Sequence, residues 1–145
     1  MLLVVDANRI FSALLSKGKV FSVFLVNKLR NKFQFKSPEF LLYEIGMHID
    51  EIVERSKLPS GEVAKVFKFI KEEMEFIPFN EFNKFAGEAE QVAPHSKDVQ
   101  YFALALSLNC AIWSDEAAFK KQLQAKVLNT DEVWAILRSS LGTAI

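Results

Sequence analysis

The chain has 145 residues, 50% hydrophobic and 25% charged, with a formal net charge of zero and a single cysteine. That suits one globular domain over residues 1–145 with its own core, and the lone Cys110 excludes an internal disulfide or a Cys-based zinc cluster. No apolar run reaches the ~18 residues of a membrane span, and Asp6 arrives too early for a signal peptide; a cytoplasmic protein without a membrane partner is expected.

The elements follow in chain order. "LLVV" at Leu2 to Val5 reads as a strand buried on both faces, with Asp6 at its end. Residues 8–15 and 19–30 read as helices broken at Gly18. "FQF" at 33–35 is a short strand before Ser37-Pro38, where Ser37 is the expected N-cap and Pro38 the first helical residue. The helix from Pro38 to about Lys57 carries Leu41, Ile45, Ile49 and Ile52 on one face. "LPSG" stops it, and a helix from Ser60 turns Val63, Val66, Phe67 and Ile70 inward. "EFIPF" is strand-like, and 81–91 is weakly helical. Asp98 opens a helix with Phe102, Ala103 and Leu106 on one face, "CAIW" is a strand, and Ser114 is the expected cap of the next helix. "KVLN" is the last short strand, and Thr130 is expected to cap the last helix. Fourteen Phe against two Tyr point to an aromatic core, and Cys110 reads as a buried inert thiol. Strands separated by helices imply a parallel sheet covered on both sides, which is an α/β fold. Ligands of such sheets sit beyond the carboxyl ends of the strands, where Asp6 and the Ser114-Asp115-Glu116 corner lie.

Four acidic locations are candidates to meet there. Asp6 ends a buried strand, where an uncompensated charge is costly. Glu44 borders the inward face of its helix. Asp98 and the pair Asp115 and Glu116 fall in first helical turns. Carboxylates gathered in a small site need cations, and oxygen ligands suit Mg²⁺ or Mn²⁺. Each acid also has a plain reading. First-turn acids are favoured by the helix dipole alone, Asp6 could cap the next helix, and Glu44 could be a solvated edge acid. "TDE" at Thr130 to Glu132 has the same form as "SDE" at Ser114 to Glu116, and capping accounts for it fully. Local pattern therefore cannot assign "SDE" to catalysis.

Other motifs carry less. Glu44 and His48 lack a second helical His for zinc. Ser12 and Ser107 lack a Gly-rich elbow, and no phosphate-cradling glycine loop occurs. "VVDAN" is similar to the start of phosphotransferases with an Asp nucleophile, but those need a second acid where Asn8 stands. Charge is uneven: residues 1–36 hold seven basic side chains and one acid, against 11 basic and 17 acidic in the remainder. A basic face attracts polyanions, although solvated lysines on amphipathic helices explain the count equally.

The acids as a set resemble the PIN-domain family of metal-dependent ribonucleases, which includes VapC-type toxins. "VVDAN" looks like the family's first strand with its metal-binding Asp, here Asp6, and a nearby polar residue, here Asn8. "SPEFLLYEI" is similar to the segment carrying the second acid, here Glu44. "KDVQYFALALSLNCAIWSDEAAF" looks like the third acid, Asp98, an Ala/Leu-rich helix, a strand and a Ser/Thr corner with the fourth acid. In the family corner an Asp stands two residues after the Ser or Thr. Aligned on Ser114 and Phe119, that position is Glu116 and the free position is Asp115, so both are kept as candidates. The resemblance implies a three-layer α/β/α sandwich around a short, mostly parallel sheet. It implies hydrolysis of RNA phosphodiesters, with Asp6, Glu44, Asp98 and Asp115 or Glu116 holding one or two Mg²⁺ or Mn²⁺ ions. Ser114 and Asn8 would orient ligands, and basic residues of the N-terminal third, among them Arg9, Lys17 and Lys19, would hold the RNA backbone. A toxin of this kind would have a small protein antitoxin as partner. Family members are often homodimers, for which the Phe-rich helices at 19–30 and 63–76 are interface candidates, although each ring also suits the core. The alternatives are a non-catalytic PIN-like module that binds RNA or protein, which the Glu116 departure favours, and a metal-dependent small-molecule phosphatase.

Overall fold

The computed structural model describes residues 1–142, so positions 143–145 of the expected 1–145 domain lie outside the described residues. Five strands form the sheet: β1 (Leu2–Val5), β2 (Gln34–Pro38), β3 (Met74–Ile77), β4 (Ala111–Trp113) and β5 (Val127–Leu128). All pair in parallel, in the order β3-β2-β1-β4-β5. The chain therefore winds outward from β1 to β3 on one side, then returns to place β4 on the other side of β1. That reversal sets the carboxyl ends of β1 and β4 at the point where the strand order switches, the usual ligand position in such sheets.

Among the described residues seven α-helices cover the sheet: α1 (Ala7–Ser16), α2 (Gly18–Arg30), α3 (Phe40–Arg55), α4 (Glu62–Glu72), α5 (Ala86–Val92), α6 (Val99–Leu108) and α7 (Thr130–Gly142). α6, backed by α5, lies over β1, β2 and β4, while α1 packs with α2, α3 and α4, and α2 with α7. The result is the three-layer α/β/α sandwich expected from the sequence. β1 shows why "LLVV" is so apolar: Leu3, Val4 and Val5 are fully buried, because helices cover both faces of the strand. Phe24, Phe35 and Trp113 pack with ring centroids 4.8–5.9 Å apart, and Phe102 meets Phe119 at 5.0 Å. Each such pair adds about 0.5–1.5 kcal/mol beyond the area it buries.

α1 and α2 meet at a 103° bend, and no single helix among the described residues is long and apolar enough to cross a membrane. The bend is made by Lys17 and Gly18 at φ 60° and 57°, left-handed values that glycine accepts without a Cβ penalty. Phe21 and Phe69, from the two Phe-rich helices, pack edge-on against each other at 5.6 Å, and Phe24 is fully buried. These rings belong to the fold. Among the described residues the large apolar side chains left exposed on α-helices are Leu25 and Leu29 on α2 and Leu42, Tyr43, Met47 and Val53 on α3.

Three local expectations are corrected. Ser37 does not cap a helix: it and Pro38 continue β2, and the buried Ser37 hydroxyl donates to the Val5 carbonyl at 2.7 Å. α3 begins two residues later, at Phe40. Ser114 precedes only a 3-10 turn, Ala117–Lys121, without a side-chain cap at its start. Thr130 is the first residue of α7, and Asn129 is the cap: its Oδ1 accepts from the Glu132 amide at 2.8 Å, and Glu132 Oε1 accepts from the Asn129 amide at 3.0 Å. That reciprocal pair is a capping box. Cys110 is half-buried, and burial pushes its thiol up to about 11, consistent with an inert sulfur.

Candidate functional site

Strand register builds the first half of the site. Val5 lies beside Trp113, so the next residues, Asp6 and Ser114, leave the sheet together. The Asp6 amide donates to the Trp113 carbonyl at 3.1 Å, and the Ser114 hydroxyl donates to Asp6 Oδ2 at 2.9 Å. Asp6 occupies the N-cap position of α1, yet its side chain makes no capping hydrogen bond. The capping explanation for this acid therefore fails. The residue is 3% exposed. Burial pushes its carboxyl up to about 6; the Ser114 hydroxyl and Arg9 oppose the rise, and the charges of Glu116 and Asp98 add to it.

Asp98 comes from the other helical layer. It ends a 3-10 turn, Ser96–Asp98, at the start of α6, and it makes no side-chain capping bond either. It is buried, and its Oδ2 has no hydrogen-bond partner among the described residues. An orphaned buried carboxylate oxygen is costly. Burial and then the charge of Glu116 raise its pKa, against His95 and Lys97.

Glu116 follows the Ser114 turn, in which the Ser114 Oγ accepts from the Glu116 amide at 3.2 Å. That turn aims Glu116 at Asp6 and Asp98, whose charges it perturbs. Its Oε1 accepts from Asn8 Nδ2 at 3.2 Å, so the first and last segments of the site are joined. Glu44 on α3 sits at the rim. Burial raises its pKa, Tyr101 and Lys97 oppose the rise, and Asp98 adds to it. Its Oε1 accepts from the Tyr101 hydroxyl at 2.6 Å.

Asp115 points elsewhere. Its Oδ1 accepts from the Thr130 amide at 2.7 Å, and its Oδ2 accepts from the Thr130 hydroxyl at 2.6 Å and from Arg9 Nη1. Burial alone would raise its pKa, but the Thr130 donors and the Arg9 guanidinium outweigh it and hold the carboxyl below its usual range. Asp115 thus ties α1 to the start of α7, and the Thr130 hydroxyl in turn accepts from Trp113 Nε1 at 3.0 Å.

The basic residues singled out in the sequence are engaged with acids: Arg9 with Asp115, Lys17 with Glu62 and Lys19 with Asp131. Lys36 pairs with Glu75 at 3.1 Å. Much of the charge imbalance of residues 1–36 is cancelled in this way across space. Lys97 and His95 lie on the Asp98 side of the acids and lower the Asp98 pKa, as Arg9 lowers that of Asp6. Sequence reasoning passed over Lys97 and Tyr101 and read His95, after Pro94 in a loop, as an exposed residue, which it is. The usable signal was position: Lys97 adjoins Asp98, and Tyr101 lies three residues after it, on the same helical face.

The donor set of Asp6, Asp98, Glu116 and Glu44 is all carboxylate oxygen, which suits a hard divalent cation. The partnerless Asp98 Oδ2, and the raising of both Asp6 and Asp98 by burial and by the charge of Glu116, fit such a cation, since it would relieve both. Among the described residues, however, no three His, Cys, Asp or Glu side chains already stand close enough to share one ion. The carboxylates repel one another, and three of them are held by protein donors: Asp6 by Ser114, Glu116 by Asn8 and Glu44 by Tyr101.

A family model described as PIN domain matches residues 4–135. No curated relative matches the chain by sequence. Among solved structures, a chain of VapBC2 from Rickettsia felis, crystallised bound to a DNA fragment from its promoter, is similar in fold, with a TM-score of 0.63 and 16% identity over 89% of this chain and 98% of that one.

Proposed function

This chain belongs to the PIN-domain family, whose members are generally nucleases that use divalent metals, and from that premise we propose that it is a Mg²⁺- or Mn²⁺-dependent endoribonuclease acting in the cytoplasm as a single domain. The observation that carries the reading is a buried Asp98 oxygen without a partner, at the carboxyl edge of β1 and β4, where the charge of Glu116 acts on both Asp98 and Asp6.

In this reading Asp6, Asp98 and Glu116 hold the cation, with Glu44 at the rim. Asp115 is not a ligand, because its two oxygens are spent on Thr130 and Arg9. Ser114 fixes the Asp6 carboxylate, and Asn8 fixes Glu116. Lys97 and His95 offset the repulsion between RNA phosphate and the acids, and Arg9, Lys17 and Lys19 contribute to backbone binding only where their ion pairs exchange partners. A bound divalent ion would lower the pKa of an attacking water and stabilise the charge that develops on the phosphate and the leaving 3′ oxygen. Water attack at phosphorus breaks the bond to the 3′ oxygen and leaves a 5′-phosphate and a 3′-hydroxyl. By analogy with the VapBC2 complex, a small protein antitoxin is the partner proposed to cover the acids.

A second reading has one observation in its favour. No ready-made set of three ligands is present among the described residues, which suits a non-catalytic PIN module that binds RNA or protein. Incubating the protein with end-labelled RNA in Mn²⁺, Mg²⁺ or chelator separates the readings. The nuclease reading expects cleavage in the divalent ions alone, absent from Asp6→Asn. Full activity of Asp6→Asn in Mn²⁺ contradicts the mechanism. Salt-sensitive binding without cleavage at saturating Mn²⁺ establishes the module. Turnover of a generic phosphomonoester without RNA binding points to the phosphatase.

A further inference from the structure

Tyr101 is one of two tyrosines in a chain with 14 phenylalanines. A phenol in such a core needs a reason, because its hydroxyl must find a partner. Tyr101 is 1% exposed, on the face of α6 that carries Asp98 three residues earlier. Helical side chains lean toward the N-terminus of their helix, which carries this phenol to the carboxyl edge of the sheet. There its hydroxyl, which like any phenol keeps its proton at neutral pH, has one proton to give. That proton goes to Glu44, at 2.6 Å, across the gap between α6 and α3.

Glu44 needs such a partner, as Asp6 and Glu116 do. Asp6 is held by Ser114 and Glu116 by Asn8. Glu44 projects from a helix at the rim, repelled by Asp98 and attracted by Lys97 and His48. A long carboxylate there has rotamers that lead away from the cluster.

We propose that Tyr101 is a positioning residue for Glu44: its hydroxyl pins that carboxylate beside Asp98 so that the acid cluster takes up a divalent cation as a set of four. This rests on the metal-dependent reading above and names the residue that completes it. Phe at this position would keep the ring and delete only the hydroxyl, so packing and positioning can be told apart. Partners that orient metal ligands are typically worth 10–100-fold in affinity.

The test is Mn²⁺ affinity, read from the electron paramagnetic resonance signal of free Mn²⁺ during titration of the intact chain. Tyr101→Phe is expected to bind Mn²⁺ about 10–100-fold more weakly than the parent, with its melting temperature in chelator little changed. In a Glu44→Gln background the same substitution is expected to cost nothing further, because Tyr101 acts through Glu44. Equal affinity of Tyr101→Phe and parent overturns the positioning role while leaving the metal reading intact. So does a loss that persists undiminished in Glu44→Gln, or a lowered melting temperature with unchanged Mn²⁺ affinity. Failure of the parent itself to bind Mn²⁺ overturns the metal reading and this role with it.

Discussion

The corners after β4 and β5 carry nearly the same tripeptide, Ser114-Asp115-Glu116 and Thr130-Asp131-Glu132, and they use it for opposite ends. At the second corner every acid is answered by a donor. Glu132 closes the capping box with Asn129 and pairs with Lys120, and the Asn129 amide and Lys120 hold it below the usual range. Asp131 is exposed and pairs with Lys19. At the first corner Asp115 is answered by Thr130 and the Arg9 cation and held low, whereas Glu116 accepts from the neutral Asn8 amide. Glu116 is left facing Asp6 and Asp98, and burial together with its charge raises both of those acids. What divides a structural acid from a candidate ligand here is the supply of donors around it, not its place in a motif.

The largest test of that contrast is Asp6→Asn. Cleavage should fall below detection while the fold becomes more stable at neutral pH. The displacement of Asp6 from 3.8 to about 6 corresponds to at most about 3 kcal/mol. The sign follows from proton linkage: the folded state binds this proton more tightly than the unfolded state. Its stabilising contribution is therefore complete below about pH 4 and lost as pH rises through 6. Denaturant titrations at pH 7 and pH 4.5 should show the gain from Asp6→Asn shrinking toward acid; equal gains at both would break the assignment.

Asp115→Ala comes next and should do the reverse. It strips two hydrogen bonds from Thr130 and leaves Arg9 unpaired, costing about 2–3 kcal/mol in urea unfolding, with Mn²⁺ affinity within about threefold of the parent. If that affinity collapses instead, Asp115 belongs with the ligands. Glu116→Gln should show the opposite profile: weakened Mn²⁺ binding by calorimetry, with stability within about 0.5 kcal/mol.

A pH scan of the parent sharpens the comparison further. In chelator the melting temperature should rise from pH 7 to pH 5, as Asp6 and then the raised Asp98 and Glu44 take up protons. It should fall again in stronger acid, where Asp115 and Glu132, both held low, lose their partners. In Mn²⁺ the order at pH 5 and 7 should reverse, because protons and the cation compete for the same oxygens. A steady fall from pH 7 to 5 in chelator contradicts the acid cluster. The smallest effect is at the second corner, where Asn129→Ala should cost about 1 kcal/mol by thermal melting and leave RNA cleavage untouched.

The sheet was legible because burial on both faces leaves a plain mark. "LLVV" and "CAIW" are apolar without alternation, and the acids that follow them fall at strand ends by counting alone. Asp6, Glu44 and Asp98 were recognisable as candidates by type and family-like order. Asp115 and Glu116 were not separable, since Thr130, which claims Asp115, lies 15 residues further on and arrives only through tertiary folding. Ser37 was misplaced for a related reason. Ser-Pro has the local form of a helix start, but the hydroxyl finds the Val5 carbonyl of the neighbouring strand, and β2 runs on. The basic residues misled by number: counting charges along the chain could not reveal that Arg9, Lys17 and Lys19 each meet an acid from a distant segment.

The central claim is that Asp6, Asp98 and Glu116, and not Asp115, receive the divalent ion. An anomalous difference map from a crystal grown with Mn²⁺ tests it most directly. The account predicts a manganese peak at the carboxyl ends of β1 and β4, in contact with Asp6, Asp98 and Glu116, while Asp115 stays on Thr130. A peak held by Asp115, or no peak at that edge at saturating Mn²⁺, would contradict it.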